Sequence, residues 1–400
     1  MINTDTSSIP QEQTETMQWY AYGYDFGNSE IDAVLLKPNP AKERTDILSK
    51  STPTAFTQLN TTVLKSMGVN TDTALIIRMQ EEQASYGIGS VALVQSTDPW
   101  SGRGDLQRYA SRYSLRALLA MSGSMVPDKE YGLLVVSGLP AETYQKNPGL
   151  RKDIKAALTG KWTFTLDGGK TWRTCHVEVA LTIMEGAGAL IAYGGPESSQ
   201  MSAVIDIGGR TTDLYVARGQ TPVIEYCTGK PIGVESAAKM LINSFESKYG
   251  FPLTPLEARG IMHTFAEANA TELPPPTRGK KKQAIETPTT LVALYPEISV
   301  QGNLVPSQEL EGYVLEAVRQ TTDDIVSFVA AAWRQTDTSS VVAARFHPVL
   351  NIGGGVFYFF KALKARIPHL TRPSDPTHAN ALGYARAAEQ LLEKKRKPKT

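Results

Sequence analysis

The sequence predicts an α/β fold of two similar domains, and three observations carry that expectation. At 400 residues the chain is too long for one ordinary core and suits two domains of about 150–200 residues each. Strand-like apolar runs alternate with helical patterns along its whole length. A signal of strand, glycine turn and strand, Trp19 to Lys37, returns at Met201 to Gly219, so the organisation repeats.

Taken in order, WYAYGYDFGNSEIDAVLLK reads as a hairpin around Gly27 and Asn28. A polar stretch, a helical TTVLKSMG and a short strand from Ala74 to Met79 follow. LQRYASRYSLRALLAMSG places apolar residues at helical spacing, and GLLVVSGLP, Gly132 to Pro140, is a strand ending in a loop. A helix closed by Gly160 leads to WTFTL and HVEVALTIM, two strands around the turn at Asp167. After the second hairpin, IGVESAAKMLINSFESKYG is an amphipathic helix ending at Gly250, and a shorter helix opens at the Thr254 cap. Residues 271–290, rich in Pro, Lys and Thr, predict an exposed loop. A long helix, EGYVLEAVRQTTDDIVSFVAAAW, precedes HPVLNIGGGVFYF, a strand running into a glycine turn. ANALGYARAAEQLLEKK closes the fold, and the basic tail KKRKPKT reads as a solvated end.

Composition narrows the function classes. With 41% hydrophobic and 20% charged residues the chain is globular in type, and 41 Lys and Arg against 40 Asp and Glu give no electrostatic sleeve for nucleic acid. Any link to DNA is expected to run through a partner. Cys175 and Cys227 have no metal-ligand spacing around them and read as buried thiols in a reducing compartment. The polar leader lacks a signal-peptide pattern and no apolar run reaches the ~18 residues of a membrane span, so the expected location is cytoplasmic.

The chemistry concentrates in three glycine loops. YDFGNSEID, Tyr24 to Asp32, and IDIGGRTTDL, Ile205 to Leu214, each put an Asp at the end of an apolar strand and a Gly two residues on. A turn with few side chains lets backbone N–H groups approach phosphate oxygens. An Asp beside phosphate repels it unless a magnesium ion and its waters lie between, which makes Asp25 and Asp206 candidate outer-sphere metal ligands. Asn28, Ser29, Thr211 and Thr212 can add hydrogen bonds to the phosphates. The third loop, Asn351 to Lys364, follows a strand and opens a helix, and Gly353, Gly354 and Gly355 either leave a flat surface for a base or ribose or make a tight strand-to-helix connection.

In this order the three loops resemble the phosphate and adenosine loops of the actin, sugar-kinase and heat-shock chaperone ATPases. The span from Trp19 to Glu393 is similar to the prokaryotic actin-like proteins of the plasmid-segregation type, the ParM and StbA group. YGIGSVA, VVSGLPAETY, VALTIMEGAGAL and ANALGYARAA carry the likeness. The resemblance implies an actin-like fold, two domains each with a mixed five-stranded sheet and the nucleotide in the cleft between them. Residues 1–18 would be a disordered leader, 19–190 the first domain and 191–376 the second, with 377–400 a helix returning to the first domain and a tail. Position by position it implies that Gly27, Asn28, Gly208, Gly209, Thr211 and Thr212 hold phosphates and Gly353 to Gly355 the adenosine. Glu185 falls where that group carries a carboxylate that positions the attacking water. Glu235 and Lys239, one helical turn apart, read either as ribose and base contacts or as a surface ion pair. Arg210 stands where the group often has a small residue, and either reaches phosphate or points outward.

The implied activity is hydrolysis of ATP, with GTP as the other nucleotide, using magnesium and coupled to assembly of the chain into filaments. The implied partners are further copies of the chain and a small DNA-binding adaptor protein, in plasmid segregation or a bacterial cytoskeleton. The competing expectation is a non-polymerising chaperone-like or regulatory ATPase of the same superfamily.

Overall fold

The computed structural model describes residues 17–39, 44–60, 74–102, 104–193, 201–272, 295–334 and 343–396. The expected helix TTVLKSMG, residues 1–16 of the leader and most of the loop at 271–290 lie outside these residues.

The first half opens with β1 (Trp19–Phe26), β2 (Glu30–Asn39) and β3 (Arg44–Pro53), joined as an antiparallel meander. The polar stretch after the first hairpin is therefore a strand. RTDILSKSTP is exposed or half-buried apart from Thr52, with Leu48 alone of its two large apolar residues packed on the first core, and ten residue pairs with β2 hold it. Next come β4 (Phe56–Leu59), β5 (Ile76–Met79) and β6 (Ser85–Ile88), a helix at Ser90–Gln95, a short 3₁₀ turn at Leu106–Ala110 and the helix Arg112–Met125. Ser111 caps that last helix by accepting from the Ser114 N–H at 3.2 Å, and Leu115, Leu118 and Leu119 give it a buried stripe. β7 (Glu130–Leu139), helices Ala141–Lys146 and Leu150–Leu158, β8 (Gly160–Thr165), β9 (Arg173–Met184) and the helix Ala187–Tyr193 complete this half.

The second half contains β10 (Met201–Ile207), β11 (Thr212–Arg218), β12 (Thr221–Pro222) and β13 (Thr228–Lys230), then helices Val234–Tyr249 and Pro255–Glu272. A two-stranded ribbon, β14 (Ser299–Val300) and β15 (Asn303–Leu304), precedes the long helix Ser307–Ala332. β16 (Val349–Ile352), helix Val356–Arg366, β17 (Leu370–Thr371) and the C-terminal helix Ala379–Arg396 follow.

The two sheets repeat one topology. In the first, the order β3-β2-β1-β7-β9 runs through two antiparallel and then two parallel pairings; in the second, β12-β11-β10-β16-β17 does the same. The first sheet then continues through β8, β5, β6 and β4 to nine strands, a further antiparallel wing on the five-stranded core. Each sheet has its own core, around Tyr22, Tyr24, Leu118 and Leu133 in the first and around Ile205, Leu214, Phe245 and Trp333 in the second. A smaller cluster of Ala141, Met184, Leu190, Val204, Tyr215, Leu350 and Ala379 joins the halves.

The C-terminal helix packs on the first sheet. Ala381, Tyr384, Ala385, Ala388 and Leu392 form one buried stripe against Ala21, Val34, Leu36, Leu134 and Val136. Small residues let the backbones approach closely: a Cβ on Gly23 would clash with the Ala381 carbonyl, and one on Gly188 would lie 2.9 Å from Asn380 Cα. Among the described residues no helix is long and apolar enough to cross a membrane.

Candidate functional site

The two hairpins are built alike down to the residue. In the first, Asp25 pairs across the ladder with Asp32; in the second, Asp206 pairs with Asp213. Each therefore carries the pattern Asp-x-Gly-x-x-x-x-Asp, with the glycine turn between the two carboxylates. Gly208 N–H closes the second turn onto the Thr211 carbonyl at 2.9 Å. The first turn is held from beneath, because the Gly27 carbonyl accepts from Thr54 Oγ1 and from the Arg108 guanidinium, each at 2.9 Å.

All three glycine loops meet. A Cβ on Gly209 would lie 2.7 Å from Ser29 Cβ, so the tips of the two hairpins touch. Gly353 adopts φ +82°, and a Cβ there would lie 2.5 Å from Asp206 Oδ1, so only glycine suits this turn. Gly355 N–H donates to the Ile207 carbonyl at 2.8 Å, pinning the third loop to the end of β10. Gly354 faces Glu30 of the first hairpin, with 3.9 Å between a built Cβ and Glu30 Oε2. The helix Val234–Tyr249 starts against the second turn, Glu235 N–H donating to the Gly209 carbonyl at 2.7 Å.

The other expected residues divide. Asn28 and Thr211 are partly exposed at the loop tips. Thr212 is fully buried and its hydroxyl donates to the Ile232 carbonyl at 2.8 Å, so it braces the hairpin instead of offering its side chain to a phosphate. Glu235 pairs with Arg210, Oε2 to Nε 3.6 Å, and Lys239 is exposed one turn on. That ion pair is about one-third exposed at both ends and contributes little stability.

Glu185, at the end of β9, enters the same space as the strand-end aspartates. Burial pushes its carboxyl well above the usual range, and Asp25, Asp213 and Asp206 add repulsion that Arg108 only partly offsets. Burial and then the charges of Asp25 and Asp213 push Asp206 up to about 8, against a hydrogen bond from Asn380. Asp25 rises to about 6 through burial and Asp213, opposed by Asn380 and Arg108. Asp213 rises to about 6, chiefly by burial. Four carboxylates thus crowd the cleft floor beside the buried Arg108 guanidinium, itself committed to Gly27 and, at 2.7 Å, to the Tyr109 hydroxyl.

Such a cluster is costly unless a cation joins it. Among the described residues no three acidic, His or Cys side chains converge as a ready chelating group. An ion held through its waters and through phosphate oxygens needs no such group, and Ser29 Oγ, buried with no hydrogen-bond partner, supplies an unused polar atom at the loop contact. The residues present fit a divalent cation carried in with a polyphosphate.

Sequence reasoning missed Asp32, Asp213, Arg108 and Asn380. The doubled Asp-x-Gly-x-x-x-x-Asp spacing would have found the first two. Arg108 lies in a 3₁₀ turn with no repeating pattern, and nothing local marks it. Asn380 sits in the ANALGY run, where only its neighbours signal a helix.

A doubled five-strand topology with its hairpin tips and glycine loop gathered at one cleft is the arrangement of the actin-like fold. Residues 23–188 match the family model described as the N-terminal domain of actin-like proteins. An archaeal actin homologue, Ta0583, is similar at TM-score 0.64 and 21% identity, the match covering 94% of this chain and 100% of that one. The ParM of a 15-stranded filament from Clostridium botulinum is similar at TM-score 0.66 and 17% identity, covering 94% and 100%. The complex of Ta0583 with ADP matches at TM-score 0.61 and 21% identity, again over 94% and 100%. No curated protein matches the chain. The chain has the actin-like fold of the ParM and archaeal homologues, with a matched actin-like domain over its N-terminal half.

Proposed function

We propose that this protein binds Mg-ATP between its two hairpins, hydrolyses it, and uses that cycle to control assembly of its own copies into filaments. The observation that carries the reading is the meeting of Ser29 with Gly209, flanked by strand-end carboxylates from both halves. The C. botulinum filament and the ADP complex of the archaeal homologue are proteins of the same fold, and they support nucleotide binding and self-assembly here.

In this reading the N–H groups of Gly27, Asn28, Ser29, Gly208 and Gly209, with the Thr211 hydroxyl, cradle phosphate oxygens. Gly353, Gly354 and Gly355 receive the adenosine. Asp25 and Asp206 would hold magnesium, which would supply positive charge to neutralise the phosphates and the carboxylates around it. Glu185 orients the attacking water and accepts its proton. Arg108 holds the first turn in place through Gly27. Phosphates bridging the two hairpins close the cleft, and loss of the γ-phosphate removes that bridge, so assembly follows closure. The setting proposed is cytoplasmic DNA segregation, with a small DNA-binding adaptor linking filament to cargo.

Sedimentation and light scattering with ATP, GTP, ADP or no nucleotide test this. ATP-dependent pelleting that reverses as nucleotide is consumed is expected. Calorimetric Mg-ATP binding without scattering at any protein or salt concentration would leave the monomeric regulatory ATPase instead.

A further inference from the structure

We propose that Asn380 is a positioning residue of the cleft, holding the Asp206 carboxylate and the Glu185–Gly186 backbone in one fixed relation. The inference rests on the Mg-ATP reading above. Asn380 is 3% exposed, in the first turn of the C-terminal helix. Its Nδ2 donates to Asp206 Oδ2 at 2.7 Å, and its Oδ1 accepts the Gly186 N–H at 2.9 Å. A backbone N–H can only donate, so the amide can face only one way, and its donor end is left for the carboxylate.

Three segments distant in sequence meet at this one side chain. Gly186 follows Glu185 at the end of the first sheet, Asp206 ends the first strand of the second sheet, and Asn380 starts the helix that returns to the first. Neither anchor has room to drift. Gly186 is held at φ +87°, and Asn380 is wedged against Gly188, where even a methyl group would meet its carbonyl oxygen at 2.5 Å. A bond to the Gly186 N–H fixes the peptide that immediately follows Glu185, and so the direction in which that carboxyl leaves the strand. The same amide fixes the carboxylate proposed to anchor the ion. An error of about 1 Å in either costs on the order of 10²-fold in rate.

The experiment uses Asn380→Ala and Asn380→Leu in the full chain, the second preserving side-chain volume should the first fold poorly. Binding of a fluorescent ATP analogue is titrated with and without magnesium, alongside kcat, KM and the thermal midpoint. The expected result is magnesium-free binding within about threefold of wild type, a magnesium half-saturation point raised about tenfold, and kcat lowered about 10²-fold with KM little changed. An unchanged magnesium midpoint and kcat overturns the inference. So does an equal loss of affinity with and without magnesium that tracks a fall in thermal midpoint, because that is packing alone. Wild type that binds ATP no better with magnesium overturns the cleft reading and this inference with it.

Discussion

Gly209 and Ser29 touch across the gap between the two hairpins, so closely that a Cβ on the glycine would fall 2.7 Å from Ser29 Cβ. The contact joins the two halves at their hairpin tips, at the point where phosphates are proposed to bridge them. Gly209→Val fills that contact, and its φ lies outside the region that demands glycine, so the effect is one of space. ATP affinity is expected to fall at least tenfold, while the thermal midpoint of the nucleotide-free protein stays within about 4 °C, the equivalent of roughly 1 kcal/mol. Wild-type affinity in this variant would show that the tips need not meet.

Without nucleotide, stability should fall as pH rises from about 5 to 8. Asp25 and Asp213, raised to about 6, and Asp206, raised to about 8, hold protons in the folded state that their unfolded counterparts, near 3.9, have already lost. The folded state therefore binds more protons through this window, and each unit of pH removes stability. Asp206→Asn should flatten the upper part, between about 6 and 8, and Mg-ADP should flatten it in wild type. Thermal melts at stepped pH decide; a midpoint rising from pH 6 to 8, indifferent to the substitution, contradicts the assigned cluster.

Glu185→Ala leaves all three glycine loops and both strand-end aspartates in place. ATP should still bind, hydrolysis should slow by about 10²–10⁴-fold, and filaments should persist long after those of wild type have disassembled. Phosphate release and negative-stain microscopy follow both effects. Hydrolysis at the wild-type rate would reduce Glu185 to a bystander.

His378 bonds Asp375 through Nδ1 at 2.9 Å and Ser51 through Nε2 at 2.8 Å, with Asp32 Oδ1 3.8 Å away, and so ties the approach to the C-terminal helix to β2 and β3. Burial lowers its pKa, but the Asp375 bond and the charges of Asp32, Asp375 and Glu30 outweigh burial and raise it overall. A histidine with a raised folded pKa contributes its full stability below about 6.5 and loses it as pH climbs through the folded value. His378→Ala should therefore lower the thermal midpoint by roughly 2–4 °C at pH 6 and by less at pH 8.5. An equal deficit at both pH values would mean that packing, not charge, is what the ring supplies.

The sequence by itself determined the alternation of strands and helices, the doubled hairpin and the three glycine loops, because period, turn chemistry and Gly or Asp at strand ends are local properties. It also pointed to Asp25 and Asp206, each at the end of an apolar strand beside a glycine turn, whereas Glu185 was marked only by the resemblance to the segregation actins. It did not show β3, a polar strand held chiefly by its ladder with β2, nor β4 and β6, nor that these join β5 and β8 in a wing that widens the first sheet. Only the tertiary structure decided that Thr212 turns into the ladder, that Glu235 meets Arg210, and that Arg108 lies under the first turn. Asn380 shows the reason most plainly. It is 174 positions from Asp206 and 194 from Gly186, and the two bonds that define its role exist only once the last helix has settled against the glycines of the first sheet.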